Sequence, residues 1–165
     1  MSSISIDNID LQLLDLLQGN AGLSNLALAA KVRISAPTCL RRIKRLESAG
    51  LIERRIAILN PEHIATTVGF GLTAIVEITL DRQDAQALEQ FESRVAPEAC
   101  VQQCYRVSPG PDFVLVVHAP NMPGYLALTQ RLFTSDGNVR NTKAFFSIKR
   151  SKFGAELPLV STTTG

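Results

Sequence analysis

Apolar residues recur at helical spacing from the start of the chain. Ile9, Leu13, Leu14 and Leu17 fall three or four apart, Asp7 is placed to cap them and Asp10 sits in the first turn, where the helix dipole favours a negative charge. This pattern predicts a helix from Asp7 to about Gln18, broken by Gly19 and Asn20. Ser24 opens a second, shorter helix in which Leu26, Ala27, Ala30 and the stem of Lys31 are expected to face inward. Val32, Arg33 and Ile34 form a turn. Ser35 then caps a third helix with Pro37 in its first turn, Leu40, Ile43 and Leu46 on one face, and Gly50 at its end. Leu51 to Leu59 reads as an extended ribbon, bounded by Asn60 and Pro61. Helix, helix, turn, helix and ribbon predict a winged helix-turn-helix over residues 1–59, followed by a hinge at residues 60–67.

The period changes after the hinge. From Val68 to Leu80 the chain alternates, with Phe70, Leu72, Ala74, Val76, Ile78 and Leu80 on one face and Thr73, Glu77 and Thr79 on the other. A helix follows from Asp84 to Val95, marked by Leu88, Phe91 and Val95. Strands at Cys100 to Val107 and Phe113 to His118 flank the turn-forming run Ser108-Pro109-Gly110-Pro111-Asp112. Pro123 begins a helix carrying Tyr125, Leu126, Leu128 and Leu132, which Gly137 stops, and Val139 to Lys149 is the last strand. The order predicts an α+β, ferredoxin-like βαββαβ sandwich over residues 68–153, leaving a C-terminal tail at 154–165. Two helices would cover one face of its sheet. Ile75 and one of Phe145 or Phe146 would make the other face apolar, which suggests that two such sheets meet in a homodimer.

Composition narrows the class. With 165 residues, 45% hydrophobic and 19% charged, the chain suits two small modules and matches neither a disordered nor a collagen-like sequence. No basic start leads into an apolar run and no stretch of about 20 apolar residues appears, so neither a signal peptide nor a membrane span is expected. Three cysteines, Cys39, Cys100 and Cys104, are too few for a disulfide framework and lack zinc-ligand spacing, so a reducing cytoplasm is the default and no cofactor is expected.

Charge is concentrated in one place. The protein's net charge is +2, yet residues 31–55 hold eight basic residues against two acidic ones. Residues 1–30 carry only Asp7, Asp10 and Asp15. A basic block on a short amphipathic helix points to double-stranded DNA as the partner; a solvated helix face is the competing reading. On the third helix, Arg41, Lys44 and Arg45 point away from the Leu40, Ile43 and Leu46 face, and Arg42 flanks them. The first turn of a helix lying in the major groove approaches base edges, and its later cations meet phosphates. Ala36, Pro37, Thr38 and Arg41 are therefore assigned to the base-proximal end. Arg42, Lys44, Arg45, Arg54 and Arg55 are assigned mainly to phosphate, and Ser35 both caps the helix and donates to phosphate.

Residues 7–54, above all the run from Ile34 through Ser35, Ala36, Pro37, Thr38, Cys39, Leu40, Arg41, Arg42, Ile43, Lys44, Arg45 and Leu46 to Glu47, with Gly50, Leu51 and Ile52, resemble the DNA-binding domain of the Lrp/AsnC family of transcriptional regulators. The family's second domain has the sandwich order predicted above, so the resemblance spans about residues 6–153. It implies sequence-specific DNA binding and a dimer joined through the sandwich domains, often assembled into an octameric ring. It also implies control by an amino acid or related metabolite bound between dimers. Family members often have Pro, then Ser or Thr, then Pro after the capping Ser; Ala36, Pro37 and Thr38 depart from that run, which bears on operator sequence.

The resemblance also implies effector residues. The family's hairpin turn reads Val, Ser or Thr, Gly, two variable residues, Asp and an aromatic. Val107, Ser108, Asp112 and Phe113 match it, while Pro109 holds the Gly position and Gly110 comes one residue later. Glycine there lets backbone N–H groups approach a carboxylate, which proline cannot do. Asp112 would pair with an effector ammonium, and Met122, Thr142, Phe145 and Phe146 match further effector positions, with Ala144 where the family often has Thr. Capping of the turn is the competing role for Asp112, and packing is the competing role for Met122 and the two phenylalanines.

Other constellations offer little. His63 and His118 lie on different elements without a nucleophile nearby, and Gly69 and Gly71 lack the third glycine of a phosphate loop. Two alternatives to the regulator remain: a tetrapyrrole decarboxylase-like enzyme of the same fold, and a metabolite-binding module without DNA binding. Neither needs a strongly basic third helix.

Overall fold

The secondary structure changes from helices to a mixed α+β pattern near residue 70. A computed structural model describes residues 4–69 and 71–159, so Phe70 of the expected strand lies outside the described residues. The elements are α1 (Asn8–Gly19), α2 (Asn25–Lys31), α3 (Ala36–Ser48), α4 (Pro61–Val68), β1 (Leu72–Leu80), α5 (Ala85–Val95), β2 (Val101–Arg106), β3 (Phe113–Ala119), α6 (Met122–Thr129) and β4 (Val139–Phe146), with a π-helical turn Gln130–Thr134 extending α6. The chain divides into two compact units, one holding the residues up to Ile58 together with the segment from Lys152 onward, the other spanning Leu59–Ser151.

In the first unit, three helices are started by side-chain caps. Asp7 accepts the Asp10 amide at 2.9 Å while Asp10 accepts the Asp7 amide at 3.1 Å, a reciprocal capping box. Ser24 caps α2 and Ser35 caps α3. At the end of α3, Gly50 takes φ +73°, its amide meets the Glu47 carbonyl at 2.9 Å and the Leu51 amide meets the Leu46 carbonyl at 3.0 Å, the paired bonds of a Schellman turn. The core joins Leu13 and Leu17 of α1, Leu28 and Ala29 of α2, and Cys39 and Ile43 of α3.

Two inward faces differ from expectation. On α2 the buried residues are Leu28 and Ala29, and Leu26 is 72% exposed. A seven-residue helix carries less than two full turns of pattern, so spacing alone leaves its face open, and packing against α1 and α3 decides it. On α3 the seam is Cys39, Ile43 and Leu46, and Leu40 is 45% exposed. Residues 39, 43 and 46 form the narrower stripe, and burial pushes the Cys39 thiol pKa up.

The ribbon and the hinge also change. Residues 53–60 form no strand ladder with any described residue, and Ile56, Ile58 and Leu59 stay exposed, because an extended segment needs a neighbouring strand to pair with. The expected hinge is helical: Asn60 accepts the His63 amide at 3.2 Å, Pro61 occupies the first turn of α4, and Gly69 ends it at φ +73°. β1 therefore starts at Leu72 rather than Val68.

The second unit is a four-stranded antiparallel sheet in the order β2-β3-β1-β4. Ala74, Val76, Ile78 and Leu80 point to the helix-covered face, where they pack with Phe91, Phe113, Leu115, Val117, Leu128 and Phe133. β4 ends at Phe146, short of the expected Lys149. On the other face, Gln103, Val116, Ile75 and Phe145 are successive cross-strand partners, a row spanning all four strands. Ile75 and Phe145 are each 44% exposed. Phe146 belongs to the helix side, its ring edge-on to Tyr125 at 5.2 Å.

Candidate nucleic-acid interface and effector residues

The cap of α3 fixes where its first turn begins. Ser35 Oγ donates to Thr38 Oγ1 at 2.8 Å and accepts the Thr38 amide at 3.4 Å. Asn25 of α2 donates through Nδ2 to the Ala36 carbonyl at 2.8 Å, pinning the start of α3 to α2. Between the two helices Arg33 adopts φ +56°, a left-handed conformation that closes the turn without a glycine.

Facing away from the seam, Pro37, Leu40, Arg41 and Lys44 are all exposed and lie at positions i, i+3, i+4 and i+7. Arg41 and Lys44 form no ion pair with a described residue. Leu40, expected inside, stands between these cations. An exposed apolar side chain on a basic helix face suits contact with a thymine methyl group. Its exposure was legible in sequence only through Cys39, which supplies the seam residue at the alternative spacing.

The other four arginines of the expected DNA-binding set are partnered. Arg42 Nη1 donates to Asp7 Oδ2 at 2.7 Å and to Asp10 Oδ1 at 2.9 Å, and Arg45 Nη2 donates to Asp10 Oδ2. The Asp10 side chain is 0% exposed. A carboxylate removed from water in this way requires compensating partners, and the two guanidinium groups with the Asp7 amide supply them. The Asp10 amide, and then the Arg42 guanidinium, hold the Asp7 carboxyl below the usual carboxylate range, while Asp7 and Asp10 raise the Arg42 pKa. Arg55 pairs with Glu47 at 2.7 Å, and Arg54 lies 4.0 Å from Glu53. Thus the ten expected DNA residues fall into three groups: the α3 start (Ser35 to Thr38), the outward Arg41 and Lys44, and the paired Arg42, Arg45, Arg54 and Arg55. Sequence shows Asp7 and Asp10 as helix-capping residues; their reach to arginines 32 and 35 residues away follows from how α1 crosses α3.

The seven expected effector residues divide between two ends of the sheet. Ser108 and Gly110 lie in the β2–β3 turn, where the Ser108–Pro109 peptide is cis and Gly110 takes φ +127°, a conformation that L side chains avoid. Asp112 closes this turn: its amide donates to the Ile78 carbonyl at 2.8 Å, and its Oδ2 accepts from the Leu80 amide at 2.7 Å and Gln83 Nε2 at 3.3 Å. Thr142 pairs with Ile78 across β1 and β4, so it sits at this same end. Phe145 pairs with Ile75 and Phe146 with Ala74, toward the other end. Met122 begins α6 just past Ala119, the strand partner of Leu72, and is 44% exposed. Thr142 and Phe146 are four residues apart on one strand, roughly 13 Å.

A winged helix-turn-helix followed by this sandwich defines a DNA-binding regulator with a ligand-binding module. Residues 6–53 match the family model described as winged helix-turn-helix DNA-binding, and residues 73–157 match the Lrp/AsnC ligand binding domain. The chain belongs to the Lrp/AsnC family of transcriptional regulators. It is 32% identical over 147 residues to the leucine-responsive regulatory protein of Escherichia coli K12, covering 89% of this chain and 87% of that protein. It is 33% identical over 148 residues, 90% of this chain and 86% of the relative, to an uncharacterized HTH-type transcriptional regulator of Haemophilus influenzae. An AsnC family regulator from Agrobacterium tumefaciens superposes with a TM-score of 0.81 at 30% identity, covering 93% of this chain and 97% of the other. A transcriptional regulator from Neisseria meningitidis, solved as its L-Met complex, superposes at 0.82 with 29% identity, covering 94% and 97%. The family is one of regulators, which favours that reading over the decarboxylase-like alternative. No helix among the described residues is long and apolar enough to cross a membrane.

Proposed function

We propose that this protein binds double-stranded DNA as a homodimer, inserting α3 in the major groove with Ala36, Pro37, Thr38, Leu40 and Arg41 toward base edges. Lys44, Arg54 and the ion-paired arginines Arg42, Arg45 and Arg55 face phosphates, and Ser35 donates to phosphate at the helix start. The exposed stripe of Arg41 and Lys44 beside Leu40 carries this reading. The apolar sheet face with Ile75 and Phe145 joins the two copies, and dimers assemble further, as an octamer, in the cytoplasm alongside the DNA. An amino acid is the effector, supported by the Lrp/AsnC ligand binding domain and by the L-Met complex of the Neisseria meningitidis relative. Its site takes Ser108, Gly110, Asp112 and Thr142 at one sheet end and Met122, Phe145 and Phe146 at the other. The split suits a site completed between copies.

The experiment is a salt-dependent gel shift with the fragment upstream of the protein's own gene. Binding weakens steeply as salt rises, and Arg41→Ala with Lys44→Ala abolishes it. Binding that survives the double substitution contradicts the groove assignment.

A further inference from the structure

The basic helix is held from behind by an acid with no access to water. Asp10 is buried, completes the capping box with Asp7, and divides its two carboxylate oxygens between Arg42 and Arg45. Arg41, Arg42, Arg45 and Asp7 line one open recess on this side of α3. Each guanidinium carries five N–H donors, and the bonds to Asp7 and Asp10 engage one nitrogen of Arg42 and one of Arg45. The remaining donors, in a planar fork, have no hydrogen-bond partner among the described residues and can meet an oxyanion in the recess.

We propose that Asp10 is a positioning residue for DNA binding. Resting on the DNA-binding reading above, it orients Arg42 and Arg45 so that they form a seat for one backbone phosphate beside the groove. Holding the guanidinium groups in advance removes the ordering cost that long flexible side chains otherwise bear on binding.

A positioning role and a simple charge effect have opposite signs here. If Asp10 only offset positive charge on the basic face, Asp10→Asn would tighten binding and steepen its salt dependence. Positioning predicts weaker binding, about tenfold at fixed salt, and a slope of log Kd against log salt shallower by about one phosphate. Fluorescence anisotropy with a labelled 40-base-pair duplex from upstream of the gene measures both, on full-length protein at temperatures where circular dichroism shows each variant folded. A double-mutant cycle with Arg45→Ala adds a readout that general destabilisation would not move. Once Arg45 is absent, Asp10→Asn should cost much less than it does alone. Losses that simply add, or tighter binding by Asp10→Asn, overturn the proposal. Should Asp10→Asn fail to fold, Arg45→Lys tests the same seat, because it keeps the charge and loses the fork; unchanged affinity and slope would then overturn it. Wild-type protein that ignores the duplex at every salt concentration would instead overturn the DNA-binding reading.

Discussion

Gln18 and Leu157, 139 residues apart in sequence, exchange two hydrogen bonds: Gln18 Nε2 donates to the Leu157 carbonyl at 2.7 Å and Gln18 Oε1 accepts the Leu157 amide at 2.9 Å. One side chain at the end of α1 thus satisfies both backbone groups of a residue in the C-terminal segment, which clusters with the DNA-binding unit. Exposed hydrogen bonds contribute modestly, so Gln18→Ala is expected to destabilise this unit by about 1 kcal/mol. Hydrogen exchange at the Leu157 amide is the more direct measure. Exchange as slow in Gln18→Ala as in the parent would contradict this bracing role.

Leu40 separates folding from recognition. Its exposure on the outward stripe places Leu40→Ala among surface substitutions, with a stability change within about 0.5 kcal/mol. Loss of an apolar groove contact should still weaken specific DNA binding several-fold, leaving binding to unrelated duplex nearly unchanged. Competition gel shifts with specific and unrelated DNA read this ratio. An equal loss on both would assign Leu40 to general shape rather than to bases.

Asp112 has two roles that different substitutions pull apart. Its carboxylate accepts the Leu80 amide, so Asp112→Ala removes a charged acceptor and should lower stability by about 1 kcal/mol. Asp112→Asn keeps an acceptor oxygen and loses the charge that an effector ammonium would pair with. A thermal-shift panel of amino acids should therefore show a response in the parent that falls sharply in Asp112→Asn, whose unliganded midpoint stays near the parent's. An undiminished response would leave Asp112 as a turn residue only.

What was legible in the sequence follows from the range of each interaction. The caps Asp7, Ser24 and Ser35, the stop at Gly50 and the alternation of β1 from Leu72 to Leu80 depend on residues a few positions apart, and these appear where the pattern puts them. The inward face of α2 is different, because Leu26 and Leu28 are equally apolar and only packing against α1 and α3 chooses between them. Likewise, eight basic residues in a 25-residue block announce a cationic surface, yet the division into outward Arg41 and Lys44 and tethered Arg42 and Arg45 is made by acids on another helix. Asn60 and Pro61 punctuate a loop or start a helix equally well, which is why the expected hinge proved to be α4. The effector residues follow the family's spacing, but only the strand register separates Thr142 from Phe145 and Phe146.

The sheet row through Val116, Ile75 and Phe145 makes the assembly testable. Ile75→Lys places a charge in the middle of an apolar face that is open in the single chain, so it should leave the monomer folded while disfavouring association. Sedimentation velocity should show the parent as dimers or larger and Ile75→Lys shifted toward monomer, with weaker DNA binding as a consequence. A monomeric parent would exclude the sheet-to-sheet dimer.

His118 provides a pH test within the second unit. Its Nδ1 lies 3.0 Å from Thr73 Oγ1, and burial, reinforced by the positive charge of Arg150, lowers its pKa from the ordinary value of 6.5. Between the folded and unfolded pKa values the unfolded chain binds more protons, so stability rises with pH through that window. The contribution is complete above 6.5 and is lost as pH falls from there toward the folded pKa. Proton NMR should show the His118 ring titrating below 6.5, with the exposed His63 as a second signal in the same spectrum. Denaturation midpoints should fall between pH 7 and pH 5.5, and His118→Gln, which keeps a polar partner for Thr73 and cannot take up a proton, should flatten that fall. A His118 ring titrating at or above 6.5 would mean that Arg150 and the surrounding protein do not disfavour its charge; Asp84, whose pKa is lowered from 3.8 chiefly by the Ala87 amide, loses its contribution only in more acid solution and would not account for a fall in this range.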